Sequence, residues 1–82
     1  MNSQQVPSSL REILADVFEV SPEQITPDLS MDTAENWDSF RHLQAILAIE
    51  GEYGVQLDPQ RIPELTRVSL LQAELEKKGV AF

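Results

Sequence analysis

Apolar residues recur at helical spacing in three stretches, with turn-forming residues between them. Leu10, Ile13, Leu14, Val17 and Phe18 fall at i, i+3, i+4, i+7 and i+8, one face of an α-helix. Ser9 precedes this stripe and Glu12 follows three residues later, the spacing of a capping box. A first helix is therefore expected near residues 9–19. Pro22 and Pro27 interrupt the pattern, and Ser21, Thr26, Asp28 and Ser30 favour turns. The resulting connection of about 18 residues is long, but Ile25, Leu29 and Met31 are spaced to pin it to a core. A second helix is expected from Asp38 or Ser39, with Asp38 suited to N-cap it. Its stripe reads Phe40, Leu43, Ile46, Leu47 and Tyr53, widened by Ala45, Ala48 and Ile49. Gly51 should weaken its last turn by about 1 kcal/mol relative to Ala, and Gly54 suits its end. Val55 and Leu57 alternate with polar residues over too short a span for a strand. Asp58-Pro59 reads as N-cap plus first-turn proline, and Pro63 limits that helix to about one turn. A last helix is expected from Thr66 as N-cap, with Val68, Leu71 and Leu75 as its stripe and Leu70 broadening it. Lys77 and Lys78 complement its negative end before Gly79.

The expected fold class is all-α, a small bundle of three main helices plus one short helix. It forms a single domain over residues 1–82, with a helical core at about 9–78 and short flexible ends.

Composition narrows the function. The chain has 82 residues, with 14 Asp and Glu against 6 Lys and Arg, a net charge of -8. So acidic a surface repels phosphate backbones and anionic membranes, which argues against nucleic-acid and membrane partners. The length suits one domain and leaves little room for a deep pocket, which argues against an enzyme. The 41% hydrophobic fraction is enough for a core. There is no cysteine, hence neither a disulfide nor a protein thiol nucleophile. The N-terminal residues lack a signal-peptide pattern, and no apolar run approaches the roughly 20 residues of a membrane span. A cytoplasmic, free-standing chain is the expectation.

Few residues offer chemistry. With one His and no Cys, a transition-metal centre lacks ligands. Asp28, Asp32, Glu35 and Asp38 lack the alternation and central glycine of a calcium loop. Ser39 and His42 stand three apart on one helix, but an orienting acid, an oxyanion hole and a pocket are missing. His42 is read as a solvated helix-face residue. Ser39 is different. It lies where a long acidic loop meets an amphipathic helix, near the positive end of the helix dipole. That setting favours attachment of a phosphodiester. Of its apolar flanks, Phe40 is expected to face the core and Trp37 to contribute to a docking surface.

Asp38-Ser39-Phe40 resembles the D-S-L attachment motif of acyl carrier proteins and related phosphopantetheine-bearing carriers. The resemblance extends over about residues 9–78. It takes in the Leu10–Phe18 stripe, the loop residues Ile25, Pro27, Asp28 and Leu29, and Ile49-Glu50 with Glu52-Tyr53. It continues through Val55-Gln56-Leu57 and Thr66-Arg67-Val68 with Leu71. The resemblance implies 4′-phosphopantetheine on Ser39, attached from coenzyme A by a phosphopantetheinyl transferase, with Asp38 as motif neighbour. It implies a monomeric carrier that presents thioester-linked acyl or aminoacyl groups to ligases, transferases and other pathway enzymes.

This sequence departs from the family pattern at Asn36, where glycine is common, and at Phe40, where leucine is commoner. Carriers of bacterial fatty acid synthesis usually have acidic residues where Arg41 and Gln44 stand. With Trp37 and Phe40, these two residues are the candidate partner-docking positions. Arg41 would repel basic docking patches, so a specialised pathway is expected: natural-product, aminoacyl or modified-lipid biosynthesis. The alternatives are a carrier of ordinary fatty acid synthesis and an unmodified acidic helical interaction module. From Glu12 to Asp38 there are eight acidic residues and no Lys or Arg. The negative field therefore lies on the first helix and the loop leading to Ser39.

Overall fold

The computed structural model describes residues 6–82. Three helices carry the fold: α1 (Ser8–Phe18), α2 (Ser39–Tyr53) and α3 (Val68–Lys77). Short 3-10 turns at Pro22–Gln24 and Ile62–Glu64 punctuate the two long connections. Leu10, Leu14 and Phe18 of α1, Ala45, Ile46 and Ile49 of α2, and Val68, Leu71 and Leu75 of α3 meet in one core. Ile25, Leu57 and Leu65 close it from the connections. Ile25 is buried and Leu29 and Met31 pack against the core, so the long loop is pinned as its apolar residues require. An antiparallel bridge joins Ser30 to Arg67. Met31 N–H donates to Thr66 O at 3.0 Å and Val68 N–H to Leu29 O at 2.9 Å, which ties the loop to the start of α3.

Several local expectations are corrected. The capping box at Ser9 and Glu12 does not form, because Pro7 occupies the N-cap position of α1. The Ser9 hydroxyl instead pairs with the Tyr53 hydroxyl at 2.6 Å. A related contact appears further along, where Gln24 Oε1 accepts from Ser21 N–H at 3.1 Å. Thr66 does not cap α3. Its carbonyl is engaged by Met31, and the helix starts after Arg67. Pro63 does not stop a helix begun at Pro59, since it lies within the 3-10 turn. Gly51 is accommodated inside α2, and Gly54 ends the helix with φ 66°.

Two contacts involve the C-terminal residues. Val80 lies against the core, and Phe82 meets Tyr53 edge-on with ring centroids 5.5 Å apart. Of the expected flexible N-terminal end, residues 1–5 lie outside the described residues, while Val6 is buried and Ser8 opens α1. Among the described residues, no helix is long and apolar enough to cross a membrane.

Candidate functional site

Ser39 is the first residue of α2 and is exposed. Asp38 holds it there from an extended conformation (φ -104°, ψ -175°), with Oδ1 accepting Arg41 N–H at 2.9 Å. The Asp38 carbonyl accepts His42 N–H at 2.8 Å, closing the first turn. The carboxylate thus satisfies one of the free donors of the helix start. The Ser39 hydroxyl stands in solvent beside the positive end of the helix.

The loop before it is folded on α1. Thr33 and Ala34 N–H both donate to Ser30 O, at 3.1 and 2.9 Å. Asn36 Nδ2 then donates to Phe18 O at 2.8 Å, and Arg41 donates to Val17 O from the α2 side. Both acceptors are terminal carbonyls of α1, which lack partners within the helix. Here α1 ends on Glu19 at φ 58°, a left-handed conformation that is strained for a residue with a Cβ. Asn36 and Arg41, two of the departures from the family pattern, thus serve as tertiary caps for α1. Arg41 also lies 3.7 Å from Glu19. Its guanidinium is directed at α1 and half-withdrawn from the surface.

Two expectations about the flanks of Ser39 are reversed. Trp37 is only 2% exposed, so it lies within the core and offers no docking surface. Its ring stacks on Phe18 with centroids 4.6 Å apart. Phe40 is 70% exposed and does not face the core. The buried face of α2 is His42, Ala45, Ile46 and Ile49, spaced i, i+3, i+4, i+7. At 3.6 residues per turn, Phe40, Leu43 and Leu47 fall on the nearly opposite face. They remain an exposed apolar strip beside Ser39, with Leu43 54% and Leu47 68% exposed. Gln44 is exposed beside it.

His42 is likewise not solvated. It is 5% exposed, and both ring nitrogens are engaged. Trp37 Nε1–H donates to Nδ1 at 3.0 Å, and Nε2 lies 2.7 Å from Ile62 O. With both nitrogens committed elsewhere, the imidazole is not placed to take a proton from Ser39. This removes the nucleophile–base arrangement that the three-residue spacing allows. His42 was legible in principle: it stands in phase with Ala45, Ile46 and Ile49, but its polarity kept it off the stripe. A groove of about 290 Å³ opens beside Ser39, lined by Met31, His42, Leu43, Ile62 and Pro63. Among the described residues, no group of three or more His, Asp or Glu side chains is placed to hold a metal ion.

Comparison with known proteins agrees with this geometry. The family model described as "Phosphopantetheine attachment site" matches residues 8–78. An acyl carrier protein of Thermosynechococcus vestitus (strain NIES-2133 / IAM M-273 / BP-1) is 31% identical over 68 residues, covering 83% of this chain and 84% of that protein.

Proposed function

Because the chain belongs to the acyl carrier and related phosphopantetheine-bearing proteins, we propose that Ser39 is its attachment residue and Asp38 the residue that presents it. Members of this family are carriers rather than enzymes. They receive 4′-phosphopantetheine from phosphopantetheinyl transferases and hand their cargo to pathway enzymes. The residues around Ser39 fit such a group. The hydroxyl is exposed at a helix start, and an apolar groove adjoins it. When bound, the arm supplies the thiol that holds cargo as a thioester, which is the chemistry a chain without cysteine lacks. Asp38 keeps the first turn of α2 closed, so the serine is offered at a fixed place. The observation that carries this reading is Ser39 as the exposed first residue of a helix capped by Asp38.

Incubation with coenzyme A and a broad-specificity phosphopantetheinyl transferase tests it. Intact mass should rise by one phosphopantetheine, and Ser39→Ala should abolish the gain. No gain with several transferases would favour an unmodified interaction module.

The pathway reading is a specialised one, and α2 supports it. Gln44 is neutral, and the exposed strip Phe40, Leu43 and Leu47 is apolar. The charge of Arg41 is drawn toward Glu19 and the end of α1, so it repels basic partners less than its sequence position implies. The larger effect is the absence of two negative charges from the face that partners of fatty acid synthesis would meet. Gln44→Glu restores one charge without disturbing α1. It should improve loading by fatty-acid-synthesis enzymes, and unchanged loading would remove the ground for a specialised pathway. The working form proposed is a cytoplasmic monomer.

A further inference from the structure

The Ile62–Glu64 turn forms one wall of the groove beside Ser39, yet it buries none of its residues. Ile62 is half-buried, while Pro63 and Glu64 are exposed. Ile62 packs partly against the core and Leu65, just after the turn, is buried, so apolar burial anchors the far end of this wall, while polar contacts hold the side that faces Ser39. Arg61, just before the turn, reaches the buried Glu74 carboxylate of α3 at 3.2 Å. On the other side, His42 Nε2 meets Ile62 O at 2.7 Å.

The tautomer of His42 follows from its partners. An indole nitrogen only donates, so Nδ1 accepts from Trp37 and carries no proton. The proton is on Nε2, where it is donated to the Ile62 carbonyl. Through Trp37 and its stack on Phe18, one imidazole links α1, the attachment loop, α2 and the groove wall. A leucine would fill much of the same space and make neither bond. A buried polar ring is costly unless its nitrogens are paired, and here both are.

We propose that His42 is a positioning residue for the attachment site. Its Nε2–H tautomer latches the Ile62–Glu64 wall to α2 and so sets how far the groove beside Ser39 opens. The consequence for an arm and its cargo rests on the carrier reading, whereas the latch itself does not.

The unmodified protein tests the latch. Nitrogen-15 NMR should show the proton on Nε2. In His42→Leu, the Trp37 indole N–H and the Glu64 and Leu65 amides should be accelerated at least about tenfold more than the α1 and α3 amides, which report any loss of global stability. His42→Gln, which can both accept and donate, should recover most of the protection. Wild-type exchange in the Leu variant would mean that the ring only fills space, and the proposal fails. Uniform acceleration of all amides would mean a general loss of stability, and it fails too. In the modified protein, the Leu variant should change the hydroxylamine lability of a long-chain thioester several-fold relative to an acetyl thioester, with recovery in the Gln variant. Equal lability in all three proteins would overturn the proposal. Failure to modify Ser39 would overturn the carrier reading alone, and exchange would then decide the latch.

Discussion

Replacing Trp37 with alanine separates a core residue from a docking residue. A buried aromatic side chain removes about 150–250 Å² from water. At about 25 cal/mol per Å² this is worth about 4–6 kcal/mol, and measured losses for Phe or Trp→Ala run about 3–5 kcal/mol. Trp37 is 2% exposed, stacks on Phe18 and donates to His42, so its loss should reach this range. At about 0.05–0.15 kcal/mol per residue, a chain of this length has about 4–12 kcal/mol in total. Trp37→Ala thus removes a large share of the stability. Urea unfolding followed by far-UV circular dichroism measures it, since the variant has no tryptophan. With a slope near about 1 kcal/mol/M, the midpoint should fall by about 3 M or more. Trp37→Phe keeps a ring against Phe18 but leaves His42 Nδ1 unpaired, at a cost of about 1–3 kcal/mol. It remains measurable should the alanine variant fail to fold. Changes within about 0.5 kcal/mol for both variants, as expected of surface substitutions, would refute the burial of Trp37 and the role given to His42.

Other expectations follow from single features. Asp38→Ala removes the cap on Arg41 N–H and should cost about 1 kcal/mol in chemical denaturation, with Asp38→Asn close to wild type. Gly54→Ala meets no neighbouring atom, but φ 66° should still cost it about 1–2 kcal/mol. In a domain of this size that lowers Tm by about 4–8 °C per kcal/mol in a thermal melt. Glu19→Gly should raise Tm, because glycine relieves the left-handed end of α1 while the exposed Glu19 carboxylate contributes little. Arg61→Met leaves buried Glu74 with only Lys77, 3.9 Å away. Arg61 is half-buried and Glu74 is 5% exposed, so removing the nearer partner of a buried carboxylate should cost about 1–3 kcal/mol in chemical denaturation, more than a surface pair.

What the sequence disclosed depended on whether the decisive partner was local. The cap at Asp38 and the left-handed end at Gly54 involve only neighbouring residues, and both were legible. The stripe of α1 faces one side only and was legible as well. The Ser9–Glu12 box failed because Ser9 is claimed by Tyr53, 44 residues away. On α2 the pattern misled because there are two apolar faces. Phe40, Leu43 and Leu47 are the bulkier set, but Ala45, Ile46 and Ile49 are the ones buried. His42 stands in phase with the buried set, but the local pattern does not show that a polar ring is tolerated there, because what makes it tolerable is an indole in the preceding loop and a carbonyl 20 residues onward. Thr66 misled for a similar reason, its carbonyl being taken by the loop that bridges to Arg67.

The caps that Asn36 and Arg41 place on α1 bear on how this chain could be re-engineered. Exchanging α2 for that of another carrier, the obvious route to a new set of partners, would carry Arg41 away and leave Val17 O without its donor. Taking the preceding loop as well would strip Phe18 O in the same way. A working chimera would have to move residues 17–41 as one block, with the helix following them. The second helix of this protein is therefore not a detachable cassette, since its start is tied to the end of the first.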